Sequence, residues 1–431
     1  MRLNIDRRWL TVILLTLVSV ACTTAAGGVA EDVAGARDLA MAAPETVGVS
    51  SARLERLDAG MQRFIEQGRL AGVHTMMARH GKIVHSSIAG AKDIVSGAPL
   101  TDDAIYRIFS MSKPITGVAM MMLYEEGKWR LNDPVTKFIP EFEDLQVYAG
   151  DGPSGEPVLE DANRSMTMRE LMTHSSGLAY GLGNGNAVDR MYRETRVLDS
   201  SKTLQEMIDT LATLPLLYQP GERWFYSIAV DVQGYLVEKI SGQPFDQFLE
   251  ERIFEPLGMV DTAFFVPAEK LDRLALTHGE DEEGALVLPE QRGDATRPPA
   301  GPSGGGGLYS TTMDYVRFTQ MVLNGGELDD ARLLSPRSIE MMRTNHLSEQ
   351  ALSTMGPGSG FGLDFGVVMD PAAAGEPYST GAFRWGGAAG TWFWIDPVED
   401  FVFVGMIQHR GRAVGDVQGQ SRNLAYQAIS E

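Results

Sequence analysis

The sequence is poor in the residues that support disulfide, metal or nucleic-acid chemistry. It has one cysteine, Cys22, so no disulfide can form within the chain. Its seven histidines stand at no close spacing of the H-E-x-x-H kind, and we predict neither a metal site nor a cofactor. Lysine and arginine number 37 against 57 aspartate and glutamate, which gives a formal charge of −20. Such an acidic chain is poorly suited to binding nucleic acid or an anionic membrane surface by electrostatics.

The sequence also lacks an apolar run long enough to cross a membrane. The run at 9–21 follows a positively charged start but is too short for a stable spanning helix. This combination predicts an export signal over residues 1–22, and hence a protein of the bacterial periplasm or a membrane-anchored lipoprotein. Cys22 ends the run and is similar to the lipid-bearing cysteine of a bacterial lipoprotein cleavage box. Ordinary signal cleavage further on, for example after Ala30, is the alternative, and residues 23–46 are predicted to be a flexible tether.

The remaining residues, 47–431, are long and apolar enough for a substantial core, since 44% of the chain is hydrophobic. Strand patterns lie near both ends, at 73–78, 82–89, 361–369, 383–385, 391–395 and 401–407. Helical patterns lie at 51–65, 204–214, 230–240, 245–254, 312–323 and 336–342, and the polar stretch 144–166 is typical of a loop. We therefore predict an α/β (α+β) fold. A mainly antiparallel sheet would come from 47–107 and 300–431, flanked by helices, with a helical part at 108–299.

A serine stands three residues before a lysine in the stretch Ser110-Met-Ser-Lys113, where a strand-like run gives way to a helical pattern. Residues three apart on a helix share a face, so the hydroxyl and the amine would point the same way, one turn into the helix. A serine nucleophile needs such a proton acceptor within hydrogen-bond reach. The alternative is an ordinary helix start at the surface, at which the serine is only an N-cap.

A tyrosine, Tyr226, follows a Pro-Gly turn and enters a helical pattern. A phenolate partnered by a lysine can accept a proton and later return it to a leaving group. The alternative is a phenol that lies in water at the start of a helix.

A glycine-rich stretch, Trp385-Gly386-Gly387-Ala-Ala-Gly-Thr, lies beside the late strands. Glycines at a strand indicate the close approach of another backbone or of a ligand. An N–H group exposed there could pair with the N–H of Ser110 as an oxyanion hole. A simple hairpin bend is the alternative.

A second serine, Ser303, lies in a G-x-S-x-G pattern, which is the nucleophile motif of α/β-hydrolases. That motif requires a strand before the serine, whereas the residues before Ser303 are rich in proline. A glycine-rich turn is the better interpretation.

Five motifs in one order resemble the class C β-lactamase-like serine hydrolases, and most closely the family VIII carboxylesterases. They are Ser110-Met-Ser-Lys113, Leu171-Met-Thr-His-Ser-Ser-Gly-Leu178, Pro-Gly-x-x-Trp-x-Tyr226-Ser227, Gly-Gly-Leu308-Tyr-Ser-Thr-Thr-Met-Asp314 and Trp385-Gly-Gly. The resemblance covers nearly everything from Val47 onward. It implies an α/β domain made from both termini, an all-helical domain between them, and an active site in the cleft.

The resemblance also implies roles for single residues. Ser110 matches the nucleophile that accepts the acyl group, and Lys113 matches its proton partner. Tyr226 matches the catalytic tyrosine. The backbone N–H groups of Ser110 and Ala388 match the oxyanion hole. Whether Lys113 or Tyr226 is the general base stays open at this point.

Two departures from the family pattern bear on the substrate. Ile228 stands where the β-lactamase and peptidase branches have asparagine, and Trp385-Gly386-Gly387 replaces Lys-Thr-Gly or His-Thr-Gly. A site without that cation should bind a free carboxylate poorly. We therefore expect a carboxylesterase that acts on small uncharged esters, with the substrate-binding groups at 385–388. A β-lactamase or D-alanyl peptidase is the alternative, and a non-catalytic envelope binding protein is a third hypothesis.

Overall fold

The computed structural model of the protein describes residues 39–182, 186–291 and 293–430. The predicted export signal, Cys22 and most of the predicted tether lie outside these residues, so export and lipid attachment stay predictions. Within the described ranges, no helix has both the length and the apolar character needed to cross a membrane.

Groups of strands and groups of helices follow one another along the described chain. The strands are β1 (Gly72–Arg79), β2 (Lys82–Asp93), β3 (Ala98–Pro99), β4 (Tyr106–Arg107), β5 (Gln146–Asp151), β6 (Pro157–Asp161), β7 (His278–Glu280), β8 (Leu286–Val287), β9 (Tyr309–Ser310), β10 (Glu327–Leu328), β11 (Ala331–Arg332), β12 (Ser359–Phe361), β13 (Gly366–Val368), β14 (Phe383–Gly386), β15 (Trp392–Asp396), β16 (Phe401–Met406) and β17 (His409–Arg410). The α-helices are α1 (Ser51–Glu66), α2 (Ser112–Glu125), α3 (Met168–Met172), α4 (Ala187–Glu194), α5 (Leu204–Leu211), α6 (Ala229–Ser241), α7 (Phe245–Leu249), α8 (Glu255–Leu257), α9 (Thr312–Leu323), α10 (Pro336–Met342), α11 (Glu349–Leu352), α12 (Pro371–Ala374) and α13 (Ala413–Tyr426).

The main sheet joins the two ends of the described chain. Its order is β12-β13-β14-β15-β16-β1-β2-β3, and its neighbouring strands run antiparallel. The junction is the pair β1–β16, in which His74 lies opposite Met406. An antiparallel sheet built from both terminal segments was the prediction, and it is confirmed.

The central strands are buried on both faces, and their side chains alternate between two cores. On β1, Val73 and Met77 pack toward α1 and α13, whereas Met76 and Ala78 pack into the larger core on the other face. β15 and β16 follow the same rule: the two tryptophans of β15 and the two phenylalanines of β16 pack into the smaller core, whereas Phe393 packs into the larger one. The larger core is continuous with the packing around α2 and α6, and so the sheet supports the helices that carry the candidate site.

In the smaller core, Trp394 stacks on Phe403 with ring centroids 4.1 Å apart. Replacing the buried Trp394 with alanine should lower the free energy of unfolding by about 3–5 kcal/mol, through lost burial and the cavity that remains. Urea unfolding followed by circular dichroism measures it. Val398→Ala, in the exposed turn that follows β15, is the control and should stay within about 0.5 kcal/mol. A loss under about 1 kcal/mol for Trp394→Ala would contradict the predicted packing role.

Some boundaries differ from the prediction because contacts distant in sequence override local composition. Ordered contacts begin before Val47: Leu39 is buried, and the N–H of Ala42 donates to the carbonyl of Ile83 at 2.9 Å. The predicted tether therefore extends too far toward the folded part. The division of 47–431 into an α/β part and a helical part stays a prediction.

Two elements of the middle segment were not anticipated. The stretch 144–166 contains the β5–β6 hairpin, which also pairs with the rest of the fold through a bridge from Val147 to Leu216. Helix α4 begins after Asn186, whose side chain accepts the N–H of Asp189. This helix is only eight residues long and directly follows a glycine-rich loop. Its apolar residues are therefore too few to show a clear helical period in the sequence.

Candidate active site

Ser110 lies in a short 3₁₀ turn, Phe109–Met111, between β4 and α2. The prediction that it lies one turn inside the helix is wrong, because the helix itself begins at Ser112. The turn is reached through a positive φ of 44° at Phe109, a conformation that non-glycine residues rarely adopt. Such backbone strain persists only where the surroundings fix it, and here the hydroxyl of Tyr315 donates to the carbonyl of Met111 at 2.8 Å.

Lys113 lies on the first turn of α2, almost fully buried, and its ammonium has three acceptors. Nζ donates to Gly305 O at 2.6 Å, to Tyr180 OH at 3.2 Å and to Ser110 Oγ at 3.4 Å. The spacing of Ser110 and Lys113 thus gives the contact that the motif indicated. Tyr180 was missed by sequence reasoning, and its one signal was its position two residues after the Leu171–Leu178 motif.

Tyr226 joins the same cluster from a loop 116 residues further along the chain. Its hydroxyl donates to Ser110 Oγ at 2.6 Å and accepts a longer hydrogen bond, 3.4 Å, from Nε1–H of Trp385. Its ring stacks on Tyr180 with centroids 5.2 Å apart. The structure therefore brings Ser110, Lys113 and Tyr226 together in one hydrogen-bonded group.

His174 fixes the segment that carries the tyrosine. Its Nδ1 accepts the N–H of Ser227 at 3.2 Å and lies 3.0 Å from the Ser227 hydroxyl. Burial, followed by the charge of Lys113, holds the pKa of His174 well below its usual range, so the ring is neutral. The ring also packs 4.9 Å from that of Tyr226. Sequence reasoning recorded His174 only as part of a motif and missed this contact.

The charge on Lys113 is set by opposing effects. Burial alone would lower its pKa, but Tyr180, Tyr226 and Asp231 outweigh burial, and the pKa of Lys113 is raised above its usual value. Burial also raises the pKa of Tyr180. Lys113 is therefore an ammonium at neutral pH, and Asp231 is the acid among these three neighbours.

The turn after β14 presses against the residues that precede Ser110. The N–H of Gly387 donates to the carbonyl of Thr391 at 2.7 Å, and the hydroxyl of Thr391 donates to the carbonyl of Ile108 at 3.3 Å. A side chain at Gly387 would lie 2.3 Å from that same carbonyl, so the approach needs glycine. Ala388 is exposed at the tip of this turn. The oxyanion role of the Ser110 and Ala388 N–H groups stays a prediction.

A cavity of about 650 Å³ opens over this group. Its lining includes the predicted site residues Ser110, Tyr226, Trp385, Gly386, Gly387 and Ala388. A second cavity of about 600 Å³ adjoins it and shares Phe109, Tyr180 and Gly306 with it. Space is thus available beside Ser110 and also beyond Phe109 and Tyr180.

The expectation that the cleft has no cation is wrong. Arg384, Arg410 and Arg422 line the larger cavity. Arg384 and Arg422 both pair with Glu376, at 3.2 and 3.0 Å, and the guanidinium of Arg410 lies 4.9 Å from the centre of the Phe109 ring. These arginines come from positions that no family motif marks, which is why sequence reasoning did not find them.

Ser303 lies apart from this cavity, in a glycine loop that we define as residues 301–307. It lines the second cavity, and its hydroxyl donates to Asp231. Across the described ranges, no group of three or more His, Cys, Asp or Glu side chains could hold a metal ion.

A broad antiparallel sheet flanked by helices, with a buried lysine against a serine at a helix start, defines a serine hydrolase of the β-lactamase and transpeptidase type. The chain belongs to the Beta-lactamase family, whose model matches residues 57–427. The predicted resemblance is confirmed.

The relatives include enzymes that act on esters. The chain is 38% identical to Protein Rv1367c of Mycobacterium tuberculosis over 83% of this chain and 90% of that protein. It is 35% identical to Esterase EstB of Burkholderia gladioli over 78% of this chain and 86% of the esterase. A solved structure, EstCE1, a hydrolase with promiscuous acyltransferase activity, matches with a TM-score of 0.73 and 27% identity over 87% of this chain and 98% of its own.

Proposed function

We propose that the protein is a carboxylesterase that hydrolyses small uncharged esters through an acyl-enzyme on Ser110. One observation carries the proposal: the Tyr226 hydroxyl and the Lys113 ammonium converge on Ser110 Oγ beneath a cavity of about 650 Å³. A nucleophile with a base and a cation in contact is the arrangement that acyl transfer requires. The similarity to Esterase EstB supports the ester as substrate.

The steps follow from the positions of these groups. Tyr226 reacts as a phenolate, which the Lys113 ammonium and the Trp385 N–H stabilise. Ser110 Oγ attacks the ester carbonyl while its proton passes to this phenolate oxygen, and the carbonyl oxygen becomes an oxyanion that the N–H groups of Ser110 and Ala388 stabilise. The carbon–oxygen bond to the alcohol then breaks, and Tyr226 returns the proton to the departing alkoxide. A water molecule repeats the sequence, so that the acid leaves and Ser110 regains its proton.

Tyr226 is the better base of the two candidates. Lys113 donates to the carbonyl of Gly305, and its raised pKa keeps it protonated at neutral pH. An ammonium cannot accept a proton, but it stabilises negative charge nearby. Its Nζ lies 4.7 Å from the centre of the Tyr226 ring, and the indole N–H of Trp385 donates to the phenol oxygen.

A β-lactam or D-alanyl peptide is the second candidate substrate, and the arginines in the cavity favour it. Many β-lactams and all such peptides carry a carboxylate, which an arginine binds well. Two of the three arginines already pair with Glu376, and the aromatic rings of Tyr180, Tyr226 and Trp385 offer an apolar surface beside Ser110. We therefore rank the uncharged ester first.

A substrate panel decides between them. A short-chain nitrophenyl ester should give a kcat/KM about 100-fold or more above those of nitrocefin and of a peptide ending in D-Ala-D-Ala. Arg410→Gln is the control: it should leave ester hydrolysis within about threefold, since an uncharged ester needs no cation there. Nitrocefin turnover as fast as ester turnover, and lost in Arg410→Gln, would overturn the ranking. Failure of the wild type to react with any active-serine probe would support a binding protein instead.

A further inference from the structure

Asp231 is a buried acid on the first turn of α6 that takes no part in the steps above. Its Oδ1 accepts the hydroxyl of Ser303 at 2.5 Å and the N–H of Gly305 at 3.1 Å. Two donors that converge on one oxygen are typical of an ionised carboxylate. In the described part of the chain, Oδ2 has no hydrogen-bond partner. A charge buried in this way lowers stability unless nearby charge and hydrogen bonds compensate for it.

One residue of the glycine loop, Gly305, connects this carboxylate to the candidate catalytic lysine. The N–H of Gly305 donates to Asp231, and the carbonyl of Gly305 accepts a hydrogen bond from Nζ of Lys113 at 2.6 Å. A Cβ at position 305 would lie 2.4 Å from Oδ2 of Asp231. The absence of a side chain at Gly305 therefore leaves the room that the Asp231 carboxylate needs beside the backbone.

The neighbouring residue fastens the loop to both helices. The carbonyl of Gly304 accepts the hydroxyl of Thr116 at 2.9 Å, one turn along α2 from Lys113. A Cβ at Gly304 would lie 2.5 Å from the carbonyl of Val230, the residue before Asp231. The glycine loop therefore lies between α2 and α6, and the hydrogen bond from Ser303 to Asp231 attaches it to α6.

The other titratable groups that face Lys113 do not supply a permanent opposite charge. Tyr180 is a phenol, Tyr226 is negative only in the reactive form described above, and His174 is neutral because burial lowers its pKa. Asp364, which precedes β13, has its pKa raised well above the usual value by burial, so it is a neutral acid that accepts the side-chain N–H of Gln233. Burial raises the pKa of Asp231 as well, but Lys113, the Ser303 hydroxyl and the Gly305 N–H oppose burial and favour its charged form.

We propose that Asp231, together with Ser303, is a positioning residue for Lys113. The pair holds the Gly305 carbonyl on the ammonium, and the carboxylate supplies the negative charge that keeps this ammonium protonated and directed at Ser110. The inference rests on the proposed function of Ser110, Lys113 and Tyr226. In this proposal the serine of the G-x-S-x-G pattern, Ser303, positions other groups and is not a nucleophile.

The test is the rate at which a fluorophosphonate labels Ser110 between pH 6 and about pH 11, in wild type and in Asp231→Asn. This probe reports the reactivity of the serine and does not depend on the natural ester. We expect labelling about tenfold to a hundredfold slower in Asp231→Asn. Removal of the negative charge lowers the pKa of Lys113, so the alkaline loss of reactivity should also move to lower pH. Asp209→Asn, the same change at an exposed position on α5, should behave as wild type.

Two further variants separate charge from packing. Ser303→Ala removes one hydrogen bond and keeps the carboxylate, so labelling should slow by about twofold to tenfold without a shift of the alkaline limb. Asp231→Glu keeps the charge and should also keep the alkaline limb of wild type. Circular dichroism checks folding, and these two variants carry the test if Asp231→Asn does not fold.

The outcomes for the inference and for the function can be told apart. Wild-type rates and pH profiles in both Asp231→Asn and Ser303→Ala would overturn the role of Asp231. Slower labelling in Asp231→Asn with an unmoved alkaline limb would overturn the electrostatic part of it. Peptide mass analysis that finds the label on a serine other than Ser110 would overturn the proposed function instead.

Discussion

Ser110→Ala should abolish hydrolysis of short-chain nitrophenyl esters, with a fall in kcat of about 10⁴-fold or more. The physical reason is that the acyl group has no oxygen to which it can transfer once Oγ is gone, whereas the cavity and its aromatic walls remain. Steady-state kinetics and mass detection of the acyl-enzyme measure the two consequences. The variant should show neither turnover nor the mass of an acylated serine.

The matched control is Ser303→Ala, which changes the serine of the more familiar hydrolase motif. It should keep ester hydrolysis within about tenfold of wild type, because Ser303 donates to Asp231 and does not lie in the cavity over Ser110. Full activity in Ser110→Ala, or loss of the acyl-enzyme in Ser303→Ala alone, would exchange the roles of the two serines and refute the mechanism.

Much of the fold was predictable because its signals are local. The sheet strands alternate in a period of two between two cores, and α9 carries its apolar residues at helical spacing between Thr312 and Leu323, where the prediction placed it. The β5–β6 hairpin was missed because β6 is exposed along its whole length and carries no apolar alternation. Its existence depends on pairing with β5, which lies next to the bridge to Leu216.

In the candidate site, too, some residues could be predicted from local sequence, whereas others depend on contacts between distant parts of the chain. Ser110 and Lys113 are only three residues apart, across the junction of the 3₁₀ turn and α2, so their spacing alone predicted a contact. Tyr226 could be joined to them only through the order of several motifs. Tyr180, Asp231 and the arginines of the cavity have no motif, and their positions depend on how α6, α13, β14 and β17 pack around the site. A buried charge such as Asp231 can be recognised only when its partners are known.

Tyr226→Phe should lower kcat for the nitrophenyl ester by about 10²- to 10⁴-fold, the usual contribution of a positioned acid–base group. The change removes the hydroxyl that lies 2.6 Å from Ser110 Oγ but keeps the ring, which still packs on Tyr180 and His174. KM should change little, because the cavity keeps its shape. Kinetics of wild type and variant across pH, with circular dichroism to confirm folding, measure the effect.

Tyr180→Phe is the control that decides the meaning of this loss. Tyr180 is a second phenol in the site, but its hydroxyl contacts Lys113 and not Ser110. Its removal should lower kcat by about tenfold or less, the size of one hydrogen bond to a charged group. If Lys113 were the base, Tyr226→Phe would keep kcat within about threefold of wild type, since the amine would still lie beside the serine. A large loss in Tyr226→Phe together with a small loss in Tyr180→Phe assigns the proton transfer to Tyr226 and leaves Lys113 as the fixed positive charge beside it.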